Sequence, residues 1–316
     1  MTRIRNIGIA GLAAAAAYAA LAPNSASAAP TCFSKPATMI VKGERTVHGG
    51  PGRDVIVAAA GNDEQVIYGG SGADLICAGG GRDLIIGEKG GDHMNGEAGF
   101  DEIRGTGGDD VVRAGPDEHL DGYFGKERLA GGSGNDKIVP GADENYIYDG
   151  PGRDLVLGRD GADYVFPQSD GVPDVYSGGG ATNEIYYGAD KDSDFSAGVT
   201  VSLDGLANDG LGCPDRCEGD NVSGFYAVSG SDGPDVLTGD GAQNYIEGSA
   251  GDDAIHGGRG DDVLAGDEGT DSLFGDDGDD DLRGDGDDVR LDGGPGSHDY
   301  CSGGGEGAYA NCERVY

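Results

Sequence analysis

The sequence predicts an all-β fold: a parallel β-helical solenoid of nonapeptide repeats, with a short irregular β insert between two arrays. Three observations predict it. Acidic or amide residues recur every nine positions, in the trains Asp74, Asp83, Asp92, Asp101, Asp110 and Asp235, Asn244, Asp253, Asp262, Asp271, Asp280. After a slip the step resumes as Glu127, Asp136, Asn145, Asp154, Asp163. Two residues after each comes an apolar side chain, from Ile76, Ile85 and Met94 to Leu264, Leu273 and Leu282, and glycines crowd the positions before each acid. There are 65 Gly in 316 residues, no Trp and 7% aromatics, a composition of turns rather than of a conventional core.

Residues 1–29 read as a Sec-type signal peptide, with Arg3 and Arg5, an apolar run from Ile7 to Ala22, and small residues ending Ser27, Ala28, Ala29. The run is short for a spanning helix and no other stretch is apolar enough to cross a bilayer, so the mature chain is expected to be secreted, without membrane insertion. The formal net charge of -37 makes nucleic-acid phosphates unsuitable partners and cations the natural ones.

Residues 30–48 form an N-terminal cap and residues 301–316 a C-terminal one. Six cysteines in an exported chain favour disulfides. Spacing favours Cys213 with Cys217 and Cys301 with Cys312, leaving Cys32 with Cys77. Zinc at Cys213 and Cys217 lacks a nearby His or second Cys pair.

Residues 49–187 and 230–300 are the two repeat arrays. The unit Gly-Gly-x-Gly-x-Asp-x-apolar-x is seen cleanly in Gly69 to Cys77, Gly131 to Val139 and Gly257 to Ala265. Glycine at the turn positions permits backbone angles closed to other residues. The last three residues suit a short strand with one side chain inward and its neighbours outward. Two units make one coil of 18 residues, which stacks in parallel on the next. Each turn then offers a carboxylate and carbonyls to the turn one coil away. An all-oxygen cage of forgiving geometry suits Ca2+, and no sulfur or imidazole recurs with the period. The predicted metal ligands are Asp54, Asp63, Asp74, Asp83, Asp92, Asp101, Asp110, Asp136, Asp154, Asp163, Asp235, Asp253, Asp262, Asp271 and Asp280.

In these repeats the chain resembles the hemolysin-type calcium-binding family, the repeats-in-toxin proteins. The resemblance implies a parallel β-roll with calcium ions lodged between successive turns. The opening Cys32 to Thr38 and the ending Asn311-Cys312-Glu313 resemble the caps of secreted actinobacterial members. Asn145 and Asn244 keep an oxygen at the acid slot but lose a charge, so their sites are expected to be weaker. Slips between Asp54 and Asp74, where Glu64 competes with Asp63, and between Asp110 and Glu127 and Asp163 and Asp174, interrupt the ladder. From Gly284 onward the step drifts, with Asp287, Asp288 and Asp299 off the period.

Residues 188–229 lose the period. Val199 to Gly205 alternates as a β-strand ending in a turn and is expected to pair against the coil. Asp190, Asp192 and Asp194 resemble the start of an EF-hand loop, but Phe195 and Val201 stand where that loop needs glycine and a bidentate glutamate. They read as a solvated acidic loop.

No His-Glu-x-x-His and no Gly-x-Ser-x-Gly is present, and no unassigned span could hold a catalytic domain. The expected role is a non-enzymatic, calcium-stabilised structural or adhesive protein outside the cell, with cell-surface or matrix polysaccharide as candidate partner. The alternative is a calcium-dependent carbohydrate-active β-helix of lyase or epimerase type. It would need a basic or aromatic grip, and the basic residues are scattered. Tyr68, Tyr148 and Tyr186 follow inward residues and read as an outward stripe covering the coil.

Overall fold

A computed structural model describes residues 30–43, 45–58, 64–99, 101–114, 127–141, 144–159, 161–179, 182–188, 195–211, 218–285, 290–305 and 308–315. The expected signal peptide, Asp63, Glu127's side chain, Asp190, Asp192, Asp194, Asp287, Asp288 and the Cys213–Cys217 loop lie outside the described residues. Among the described residues every regular element is a strand, and nearly all belong to two sheets of 16 and 14 strands.

The chain crosses from one sheet to the other with every nonapeptide. Leu75–Cys77 lies in the first sheet, Leu84–Lys89 in the second and His93–Asn95 in the first again, where Met94 pairs in parallel with Ile76. Ile85 pairs with Ile103 and Leu264 with Leu282, each pair 18 residues apart, so one coil is two nonapeptides. The register follows from the pattern. A one-residue slip would turn every inward side chain to water.

The sixteen inward residues of the repeat trains are buried, all at 0% exposure except Val165 at 1%, in one continuous core. Burying an Ile or Leu side chain is worth about 1.5–3 kcal/mol, and it occurs once per nonapeptide. The turns need left-handed backbone at the second glycine, as at Gly70 (φ 106°), yet Glu88 (φ 74°) and Thr106 (φ 84°) stand at the same place.

The insert joins the first sheet as three strands. Asp204–Leu211 runs antiparallel to both Val199–Ser202 and Asp220–Ser223, and these pair in parallel with the coil strands Val236–Thr238 and Val175–Ser177. In the second sheet Glu184–Tyr186 pairs directly with Ala227–Ser229, so that sheet runs unbroken from one array to the other. Phe195, Val199, Val201 and Leu203 add to the same core. The two arrays are one coil.

Disulfides Cys32–Cys77 and Cys301–Cys312, with Cα–Cα distances of 5.7 and 6.0 Å, close the two caps in the pairing that spacing favoured. The N-terminal cap covers the outward side of the first rungs, where Val55, Val57, Leu75 and Cys77 are apolar and buried beneath it. At the other end Arg314–Val315 adds a strand to Tyr300–Ser302. On the outer face of the second sheet Tyr148, Phe166 and Tyr186 stack with ring centroids 4.9 and 5.5 Å apart, and Tyr68 stacks on His48 at 4.6 Å. The rings cover one another, and Tyr68, Tyr148, Phe166 and Tyr186 are all half-buried.

Candidate metal centre

The aspartates of the regular rungs stand one residue before their strands, while Asp163 is the first residue of its own. In the regular rungs the aspartate Oδ1 accepts the backbone N–H of the acid slot one coil earlier, whereas Asp163 Oδ1 takes the Asn145 side-chain N–H at 2.7 Å. Asp74 N–H donates to Asp92 at 2.8 Å, Asp92 to Asp110 at 2.7 Å, Asp136 to Asp154 at 2.7 Å and Asp262 to Asp280 at 2.8 Å. That N–H precedes the strand ladder, so without the carboxylate it would be a buried donor with no acceptor. Glu313 Oε2 ends the series by accepting the N–H of Asp299 at 2.7 Å.

The second oxygen is different. Oδ2 of Asp74, Asp83, Asp92, Asp110, Asp136, Asp154, Asp253, Asp262, Asp280 and Asp299 is buried with no hydrogen-bond partner. Burial raises these carboxyls, against the lowering effect of the backbone N–H. Asp83, Asp92 and Asp280 are pushed up to about 6, and Asp110, Asp253 and Asp262 to about 7. A row of buried, unpaired carboxylate oxygens is unfavourable unless a cation neutralises it.

In most units the space in front of Oδ2 exists because the first residue is glycine; Ala78 stands there before Asp83 and Asp149 before Asp154. A Cβ on Gly257 would lie 2.6 Å from Asp262 Oδ2 and 2.6 Å from the carbonyl oxygen of Gly275, one coil ahead. On Gly87 it would meet Asp92 Oδ2 at 2.6 Å and Gly105 O at 2.8 Å. A carboxylate oxygen and a carbonyl of the next coil thus converge on each cradle. The donors are all hard oxygens, which fits calcium.

The RTX calcium-binding nonapeptide repeat, counted four copies at a time, matches residues 48–85, 86–118, 121–143, 139–169, 229–264 and 256–291. Together these cover more than half of the chain. The protein belongs to the RTX calcium-binding repeat family. A search of curated proteins found no match. The parallel coil described above is thus an RTX β-roll, and calcium is the ion its repeats imply.

Within the RTX ladder the expected ligands divide. Asp74, Asp83, Asp92, Asp110, Asp136, Asp154, Asp253, Asp262 and Asp280 carry the unpartnered Oδ2. Asp101 and Asp271 are buried in the same register, their Oδ1 accepting the N–H of Asp83 and Asp253 at 2.9 Å. Three others use the second oxygen within the protein. Asp54 Oδ2 accepts Gly50 N–H at 2.7 Å, Asp163 Oδ2 accepts Arg159 N–H at 3.4 Å, and Asp235 Oδ2 accepts Ser231 N–H at 2.6 Å. Asp235 Oδ1 also takes Val199 N–H and the Ser231 hydroxyl, at 2.6 and 2.8 Å. Asn244 Oδ1 accepts Asp240 N–H at 2.9 Å, so its amide closes its own turn.

The coil also recruits acids that the nine-residue step passes over. Asp174, Asp220 and Asp299 stand in the ladder, accepting the N–H of Asp154, Asp174 and Asp280 across separations of 20, 46 and 19 residues. The triplet acid-x-inward residue, in Asp174-Val175-Tyr176, Asp220-Asn221-Val222 and Asp299-Tyr300-Cys301, is the signal that survives where the period fails.

Proposed function

We propose that this RTX protein is exported, folds when it meets extracellular calcium, and serves as a structural or adhesive element outside the cell. The ligands in this reading are the aspartates of the two trains, led by those whose Oδ2 has no other partner. That row of buried, unpartnered oxygens carries the reading, because it makes the coil unstable without a counter-ion. The charge of -37 and the signal-like N-terminus support it. Calcium bound to the folded state alone stabilises that state by mass action, and many weak sites act together.

The test follows circular dichroism and hydrodynamic radius of the mature, calcium-free protein during calcium titration, with magnesium as control. A cooperative, calcium-selective gain of β-structure with compaction is expected. Full β-structure and an unchanged radius without calcium would overturn the reading. Export is checked by N-terminal sequencing of protein from the medium, expected to start after Ala28 or Ala29. The adhesive role is checked by calcium-dependent binding to anionic polysaccharide.

A further inference from the structure

One turn of the coil breaks the repeat at two positions at once. In the unit ending at Asp154, Asp149 takes the place that glycine holds at Gly131 and Gly257. Its side chain enters the cradle that glycine keeps open elsewhere. One coil ahead, Gln168 to Pro173 replaces the Gly-Gly-x-Gly frame, and Asp174 follows Asp154 by 20 residues. Tyr176 fills the inward slot that Ile, Leu, Val or Met fills in the regular repeats, at 0% exposure.

These departures meet in space. Asp149, Asp154 and Asp174 are all buried, and one carboxylate oxygen of each lies within 4.8 Å of the others. The Tyr176 hydroxyl donates to Asp149 Oδ2 and reaches Asp174 Oδ2 at 3.1 Å. Asp149 Oδ1 accepts Gly150 N–H at 2.8 Å and Gln168 N–H at 3.1 Å. Asp154 Oδ1 is occupied by the Asp136 N–H at 2.7 Å, while its Oδ2 is buried without a partner in a residue only 1% exposed. The local sequence has exchanged a glycine cradle for a denser set of carboxylates, with a phenol holding two of them in place.

We propose that Asp149, Asp154 and Asp174 hold a single hard cation in a site separate in construction from the repeating cradles, with Tyr176 as a positioning residue. Three carboxylates around one ion give it more charge than a cradle of one carboxylate and backbone carbonyls. Oxygen-site affinity rises with the charge of the ligands and the rigidity of the site. In the folded coil the site therefore holds its ion at least about tenfold more tightly than a cradle does. It lies beside the strand Val175–Ser177, against which the insert strand Asp220–Ser223 pairs. An ion there would anchor the first array where its period fails.

The test is direct binding of radioactive calcium to the full mature chain, compared with Asp149→Gly and Asp149→Asn. Asp149→Gly restores the residue that regular repeats have, so it is expected to fold, and circular dichroism at saturating calcium checks that it does. Folded at saturating radioactive calcium and then passed into unlabelled calcium, the wild type is expected to keep one tight, slowly exchanging ion per chain after the other ions have exchanged, and to show a cooperative folding transition. Both variants are expected to lose that ion and keep the transition. Tyr176→Phe, which keeps the ring in the core but frees the carboxylates, is expected to weaken the tight ion without removing it. No tight class in the wild type, or a tight class that survives Asp149→Gly, overturns the proposal. A tight ion with no cooperative transition would uphold this site while defeating the calcium-folding reading of the ladder.

Discussion

Asp110 and Asp92 are 18 residues apart in the chain and one coil apart in space: Asp110 Oδ1 accepts the Asp92 N–H at 2.7 Å, while Asp110 Oδ2 stays buried without a partner. One carboxylate thus has two separable tasks. Its first oxygen stitches adjacent coils, and its second faces the cradle.

The two tasks respond differently to substitution. Asp110→Asn keeps an acceptor for the Asp92 N–H and removes the charge, so it is expected to raise the calcium midpoint with little further loss of stability at saturating calcium. Asp110→Ala also orphans the buried N–H, at about 1–3 kcal/mol more. Urea unfolding at saturating calcium separates them. Equal midpoints in the two variants would mean that the stitch carries no weight.

Gly257, which opens the cradle of Asp262, is expected to be intolerant of a single methyl group, although Ala78 holds the same place before Asp83. Gly257→Ala would place Cβ 2.6 Å from both Asp262 Oδ2 and the Gly275 carbonyl oxygen, and a backbone oxygen cannot step aside. Ion counting by equilibrium dialysis is expected to find fewer bound calcium ions, with folding shifted to higher calcium. Gly241→Ala, whose Cβ would meet nothing within 4 Å, is the control and is expected to bind as the wild type does.

Backbone strain in the turns predicts a change of sign between neighbours. Glu88 holds φ 74°, a left-handed conformation that costs a side chain about 1 kcal/mol. Glu88→Gly is therefore expected to be neutral or stabilising by up to about 1 kcal/mol. Lys89→Gly, in the strand Leu84–Lys89, is expected to destabilise by about 0.5–1 kcal/mol. Thermal unfolding at fixed calcium reads both.

Acidity is expected to act in opposite directions with and without calcium. Asp110, Asp253 and Asp262 have folded-state values of about 7, raised first by burial above the ordinary 3.8. The folded state is therefore penalised above those values and relieved as pH falls through them toward the unfolded value. In a calcium chelator, β-structure is expected to increase as pH falls from about 8 to about 5. With calcium present, protons compete for the same oxygens, so acid is expected to release the ion and raise the calcium midpoint. Parallel circular dichroism series with and without calcium measure both slopes, and slopes of the same sign would contradict the cradle geometry.

The nine-residue step was enough to place Ile76, Met94, Leu264 and the other inward residues, and with them the coil, its parallel register and its acid ladder. A short repeat is a local pattern, and stacking identical turns in register buries every inward residue, so the sequence alone determines that much. Short spacing also picked out Cys301–Cys312, and elimination left Cys32 with Cys77. Asp54, Asp163 and Asp235 look like their neighbours in the sequence, and only the folded turns reveal that amides at Gly50, Arg159 and Ser231 take their second oxygen. Asp174, Asp220 and Asp299 rejoin the ladder at irregular separations because longer turns and the insert strands take up the extra residues while the acid-x-inward triplet keeps its place. The meeting of Asp149 with Asp154, Asp174 and Tyr176 was likewise decided by tertiary structure. Which oxygen is left without a donor depends on atoms one coil away, and coils that slip by one or two residues bring together groups that no fixed period in the chain connects.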